Sequence, residues 1–251
     1  VKTDFATSNI PVIHSLAGFF TSDDNFQHVV VETDGTWLHE RYFTDPSNVH
    51  SNDLLRIGSG AGPHIGMAGS YSSEDGLRHV AVGSDESNLY EVVWSAQVER
   101  EVRILATQFT LADVAAIAGF FDPSAHSQDV IVALKGGEVY DVNYGGGFWA
   151  GGSMRTDLVT TSPSPLKNVA AFVSPDGGVR HVILLDVHGQ VSDYSYSLSS
   201  GQVFGTTTLI PPLRDVVDMA AYYSAYDRKN HVILATNDAT GNGHIHEVYY
   251  S

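Results

Sequence analysis

Cysteine is absent from the sequence. Its absence removes disulfides, thiolate metal sites and cysteine nucleophiles together, and leaves the compartment open, because cysteine-free chains occur in reducing and oxidising settings alike. Positive charge is scarce: 13 Lys and Arg stand against 29 Asp and Glu, for a formal net charge of −16. So acidic a chain repels phosphate backbones and anionic head groups, so neither nucleic acid nor an acidic membrane is an expected partner. No apolar run approaches the roughly 18 residues of a membrane span, and no basic segment followed by an apolar stretch opens the sequence. The expectation is a soluble protein without membrane insertion, already processed or never targeted, with secretion left open. No Asn-x-Ser/Thr sequon occurs, and the local signatures G-x-G-x-x-G, the P-loop, G-x-S-x-G and H-E-x-x-H are all missing.

What the sequence does have is a period. LAGFFTSDDNFQHVVVETDGTWLHERYF from Leu16 returns as MAGSYSSEDGLRHVAVGSDESNLYEVVW from Met67 and IAGFFDPSAHSQDVIVALKGGEVYDVNY from Ile117. Further copies start at Val169 and Met219. The position of His28 recurs as His79, Asp129, His181 and His231, in steps of 51, 50, 52 and 50 residues. Each copy reads as strands: a segment centred on Ala-Gly or Ala-Ala, a polar loop, a β-branched run, a turn rich in Asp, Gly or Asn, and a third strand ending in aromatics. A less regular fourth strand is expected at Leu54 to Ser59, Val102 to Gln108, Thr156 to Thr161 and Thr206 to Ile210.

A period of this length means a solenoid or a propeller. A solenoid needs polar caps, and the terminal copies here are no more polar than the central ones. The expected fold is therefore all-β: a five-bladed β-propeller with four antiparallel strands per blade, forming a single domain over residues 1–251. The fifth copy stops after its third strand, and the strand-like segment Thr3 to Pro11 precedes the first. Residues 1–11 are expected to close the ring as the missing strand of the last blade, removing an exposed edge.

With five such copies the chain resembles the five-bladed propeller lectins, of which the tachylectin-2 type is one. The resemblance covers the architecture of the whole chain and implies carbohydrate binding; no sugar-binding motif matches residue by residue, so no site residue comes with it. The kelch pattern is not met, since a Gly-Gly doublet occurs in the right context only at Gly136-Gly137. Nor is WD40, since no Trp-Asp ends a third strand and the repeated His precedes the repeated acid by only 12 residues.

That His and acid are the most regular polar feature: His28/Glu40, His79/Glu91, His181/Asp193 and His231/Glu247, with Asp129/Asp141 in the third copy. The separation is 12 in four copies and 16 in the last, where four residues are inserted near Ala239 to Gly243. On adjacent antiparallel strands such residues reach one another directly or diagonally. Blades pack face to face, and a carboxylate inside one needs a donor, so the expectation is a structural clasp in each blade, the other reading being a ligand or metal site repeated around the ring.

Weaker candidates concern metal and catalysis. His244 and His246 form an H-x-H pair on one strand face with Asp238 nearby, but no other copy repeats it, and no cofactor or resident metal is expected. A glycosidase would need two carboxylates placed once at the axis, where the sequence offers Asp218, Lys167 and His14.

Binding finds more material. Each loop after a first strand is short and polar, supplying Asp24, Asp75, Asp176 and Asp227, and Trp37, Trp94, Trp149 and Tyr226 offer rings for the apolar face of a pyranose. The alternative is that these are solvated turns and packing aromatics. The glycine-rich segment Tyr144 to Ser153, with Phe148 and Trp149, reads as a contact loop or as one folded back on its blade. The leading expectation is thus a non-enzymatic carbohydrate-binding propeller with several similar sites, its partners glycans or glycoproteins. The alternatives are a protein-interaction or structural propeller and a glycosidase-type enzyme with one axial site. Neither the sugar nor the oligomeric state is set by the sequence.

Overall fold

The structure, a computed structural model, describes residues 13–22, 24–33, 37–44, 49–56, 66–73, 75–83, 89–95, 101–106, 114–123, 126–145, 154–174, 178–197, 202–224, 226–237 and 243–251. Among them there is no helix, and 19 strands form five antiparallel sheets, one per sequence repeat. The fold is an all-β, five-bladed β-propeller. Blade 1 is β1 (Ile13–Phe20), β2 (Gln27–Thr33), β3 (Trp37–Phe43) and β4 (His50–Arg56). Blade 2 is β5 (Gly66–Ser72), β6 (Leu77–Gly83), β7 (Leu89–Trp94) and β8 (Glu101–Ala106). Blade 3 is β9 (Val114–Asp122), β10 (Ser127–Leu134), β11 (Glu138–Gly145) and β12 (Met154–Thr161). Blade 4 is β13 (Leu166–Ser174), β14 (Val179–Asp186), β15 (Val191–Ser197) and β16 (Gln202–Ile210). Blade 5 has three described strands, β17 (Val216–Ser224), β18 (Lys229–Asn237) and β19 (Gly243–Tyr250). The closing strand expected of residues 1–11 lies outside the described residues.

Every blade is a meander, each strand pairing with the one before it. The fourth strand of blade 1 starts at His50, four residues before the expected Leu54. Its first half, His-Ser-Asn-Asp, carries no apolar alternation because it is an outermost strand with little to bury.

The chain forms two compact units, Val1–Ala112 with blades 1 and 2 and Asp113–Ser251 with blades 3 to 5. Within each, the core is a set of layers between neighbouring blades. Ala17, Val30, Leu38, Leu54, Met67, Val80, Val82, Val92 and Trp94 fill the layer between blades 1 and 2. Blades 3 and 4 meet over Ile131, Val139, Val182, Leu184, Tyr194 and Tyr196, and blades 4 and 5 over Phe172, Ile183, Leu185, Met219, Val232 and Leu234. Blade 4 is packed on both faces, so seven of the eight residues of β14 are buried and Val182–Leu185 reads as an unbroken apolar run.

Blade turns are latched to the chain that leads to the next blade. Ser162 donates its N–H to the carbonyl of Gly137 in the β10–β11 turn at 2.8 Å, and Leu213 does the same to Gly189 in the β14–β15 turn at 2.9 Å. Both glycines have positive φ, +107° and +82°, and a Cβ on Gly189 would stand 1.7 Å from the Leu213 carbonyl oxygen. Only glycine permits that approach.

Candidate functional site

The repeated histidines and acids lie where the strand register puts them. His28 in β2 stands opposite Tyr42 and Glu40 in β3 opposite Val30, so the two are diagonal neighbours on one face of the sheet. His28 Nδ1 is 2.8 Å from Glu40, and His79–Glu91, His181–Asp193 and His231–Glu247 repeat the same Nδ1 contact at 2.8 Å. In blade 5, with its four additional residues between the pair, the register at the pair is unchanged, with His231 opposite Tyr249.

The loop carboxylates turn toward these histidines. Four residues before each of three of them, Asp24, Asp75 and Asp227 approach Nε2 at 3.9, 3.4 and 3.1 Å. His79 therefore lies between two carboxylates. Burial alone would lower its pKa, but the hydrogen bonds and charges of Asp75 and Glu91 prevail and raise it to about 9. Asp75 moves the other way: burial raises it, and His79 with the Leu77 N–H and Ser72 brings it below its ordinary value. Glu40 follows the same pattern, burial being outweighed by the bonds from His28 and Asn52. On exposed Asp227 the hydrogen bonds of Ser224 and His231 lower the pKa, and His231 is raised in turn by Asp227 and Glu247. Asp176 lies outside the described residues.

Blade 3, where both members of the pair are acids, borrows a cation. Arg180 of blade 4 is fully buried and reaches across to Asp122 through Nε at 3.0 Å, Asp141 through Nη1 at 2.8 Å, and Ser127 and Asp129 through Nη2 at 2.9 and 3.1 Å. Three buried carboxylates share one guanidinium, so one of them retains its proton: burial and the Asp141 charge push Asp129 up to about 8 against the pull of Arg180. Arg78, at the corresponding position in blade 2, likewise reaches back to Asp24 of blade 1. A second set of donors also crosses between blades. Trp94 Nε1 donates to Glu40 at 3.2 Å, Tyr196 Oη to Asp141 at 2.8 Å and Tyr250 Oη to Asp193 at 2.9 Å. Sequence reasoning missed both sets although their signal was present: an aromatic ends every third strand, and Gln27, Arg78, Gln128, Arg180 and Asn230 all precede the repeated position.

The other candidates scatter. Trp94 is a buried packing residue, whereas Trp37 and Tyr226 are 44% and 99% exposed; Trp149 and most of the glycine-rich segment lie outside the described residues. The rings of His244 and His246 are 6.5 Å apart, and His246 Nε2 touches Thr236 at 3.0 Å, the contact His39 makes with Thr33 in blade 1 at 3.1 Å. Asp238 lies outside the described residues, among which no group of three or more metal-ligating side chains occurs. Asp218 accepts a hydrogen bond from Asn168 at 2.9 Å and Lys167 donates to the Val216 carbonyl, while nothing is described for the His14 side chain.

Three hollows flank blade 4. A groove of about 180 Å³ between blades 3 and 4 is lined by Asp157, Leu158, Val159, Tyr194, Tyr196, Gln202 and Val203, with Asp141 and Ser197 completing it. Leu158 and Val203 are 57% and 58% exposed beside it, and the two tyrosine rings are 5.8 Å apart. A second hollow of about 230 Å³ lies beside the Asp186–Gln190 turn with Lys167, His188 and Arg214, and a third of about 110 Å³ is lined by Thr160, Thr206, Thr208 and Ser192.

No protein-family model and no curated protein matches the sequence. Solved structures do match the fold. The BP39L lectin of Burkholderia pseudomallei has a TM-score of 0.66 at 16% identity, over 94% of this chain and 68% of that one. The fucose-specific lectin of Aleuria aurantia has 0.62 at 12%, over 94% and 75%. A further structure of the Aleuria aurantia lectin, described as a six-bladed β-propeller with a novel fucose recognition mode, has 0.57 at 10%, over 96% and 76%. The likeness is one of fold.

Proposed function

We propose that the chain is a non-catalytic carbohydrate-binding propeller whose best-formed site is the groove between blades 3 and 4. The observation that carries this reading is the lining of that groove, where two tyrosine rings and the aliphatic Leu158 and Val203 meet Asp157 and Gln202 within about 180 Å³. The carbon surface suits the apolar face of a sugar ring, and the carboxylate and amide suit its hydroxyls. The aliphatic share favours a 6-deoxy sugar, because a methyl group in place of a hydroxymethyl leaves no hydroxyl unpaired against the aliphatic wall, a cost of about 1–3 kcal/mol. The fold likeness to lectins, one of which is named for fucose, supports the same choice. The histidine–acid pairs serve the blades, each histidine spending its Nδ1 on its acid.

Site number is the finer question. Counterparts of Tyr194 at the same place in the other repeats are Arg41, Val92, Val142 and Val248, so no other repeat offers a tyrosine there. Isothermal titration with L-fucose, L-rhamnose, D-galactose and N-acetylglucosamine tests the reading, with one strong site per chain expected and Gln202→Ala and Tyr194→Ala each weakening it at least tenfold. No binding of any glycan on an array, or binding that both variants leave intact, would overturn it.

A further inference from the structure

β16 is the outer edge of blade 4, paired within its sheet to β15 alone. Edge strands expose unpaired N–H and C=O groups, and charged side chains are the usual guard against pairing with another chain. The sequences of the outermost strands in the other four-stranded blades all contain charged residues: HSNDLLR in β4, EVRILA in β8 and MRTDLVTT in β12. β16, QVFGTTTLI, carries none. It lies inside a run of 20 residues, Tyr194 to Leu213, without one charged side chain, in a chain that otherwise holds 13 basic and 29 acidic residues.

The strand is also unusually bare. Val203 and Phe204 are 58% and 50% exposed, and Thr206, Thr207 and Thr208 are all exposed. Tyr196 pairs with Val203 and Ser195 with Gly205, which leaves Phe204 as the extra residue of a bulge. An apolar ring in that position is held out to solvent rather than folded onto its own sheet.

We infer that β16 is a self-association edge and that its partner is a second copy of this chain, the two strands running antiparallel about a two-fold axis at Thr207. Two features of the molecule select a copy of itself. Molecules that each carry −16 repel one another wherever charged surfaces meet, so a self-contact belongs on an uncharged stretch, and β16 is the outermost strand that supplies it. An isologous contact must also be self-complementary, and a two-fold at Thr207 sets Thr206 of one copy against Thr208 of the other, a threonine pair of the kind that stabilises adjacent strands. Phe204 then flanks the join on both sides and gives it apolar area. The inference is independent of which ligand the blades bind.

Sedimentation velocity on the whole chain from about 1 to 200 μM tests it. The expected result is a species of twice the chain mass that grows with concentration and is favoured by added salt, because salt screens the repulsion between the two acidic bodies. Thr207→Lys and Phe204→Lys should each return the chain to a monomer with its melting temperature and unfolding transition retained, and Thr207→Ser should leave the dimer in place. A single-chain mass across the whole range, or a dimer that both lysine variants leave intact, would overturn the inference.

Discussion

Replacing Arg180 by leucine is the sharpest test of how the blades hold together. The substitution keeps bulk between blades 3 and 4 but leaves Asp122, Asp129 and Asp141 without the guanidinium that all three contact. Removing one partner of a buried ion pair costs about 3–5 kcal/mol, because the remaining charge stays buried and unpaired. For a domain of this size about 1 kcal/mol shifts Tm by about 2–4 °C, so the loss at pH 8 should be on the order of 10 °C. The pH dependence carries the specific signature. In the parent protein Asp129 has a folded pKa of about 8, raised from 3.8, so the folded state binds the extra proton and stability falls as pH rises from about 4 through about 8. Without Arg180 both Asp129 and Asp141 shift further up, so the penalty is largest above pH 8 and shrinks toward pH 5, where both take protons and cease to repel. Thermal unfolding followed by circular dichroism from pH 5 to 9 reads this directly. The triple variant Arg180→Leu, Asp129→Asn, Asp141→Asn should recover most of the lost stability, since a neutral set needs no cation. An unchanged Tm at pH 8, or a loss equal at pH 5 and pH 9, would refute the reasoning.

His79, with its pKa raised to about 9, should still be an imidazolium at pH 7.5; its contribution is fully present below pH 6.5 and fades as pH rises through about 9, a swing of about 3 kcal/mol at 1.36 kcal/mol per unit. An NMR titration with its midpoint near 6.5 would contradict the two-carboxylate account. Gly189→Ala should destabilise the fold by more than about 2 kcal/mol, since it combines positive φ with a clash against the Leu213 carbonyl, whereas Gly76→Ala, at φ +67° with open space around it, should cost only about 1 kcal/mol. Equal denaturation midpoints for the two variants would show that the latch contributes nothing.

The blades were legible because their signal is periodic. The position of His28 recurs in the sequence at near-constant steps, and the diagonal placement of its acid follows from alternation along paired strands. What escaped was the direction in which loop side chains turn and the contacts that cross from one blade to the next. Asp24, Asp75 and Asp227 read as free loop acids because sequence shows a loop's composition and not the direction of its side chains; they turn inward onto the histidine four residues ahead. Trp94 read as a possible sugar platform and instead caps Glu40 of the preceding blade. The two acids of blade 3 looked like an unexplained lapse in the pattern, since Arg180 stands 39 residues beyond Asp141 and no local rule connects them. The groove beside Tyr194 was missed because it is an exception to the repeat, and a search for what recurs passes over what occurs once.

The residue ahead of each repeated position gives the five copies a direction. Arg78 and Arg180 look backward, meeting acids of the copy before their own, so a copy's fitness as a building block depends on its follower. A propeller assembled from identical copies of blade 2 would set every Arg78 against an Asp75, the counterpart of the Asp24 it now meets, and the charges would close on themselves all the way round. One assembled from identical copies of blade 3 would face Asp122, Asp129 and Asp141 with Gln128 at every junction and hold its acids uncompensated. The two copies share a period and a strand pattern, yet only the first is a module that can stand next to itself.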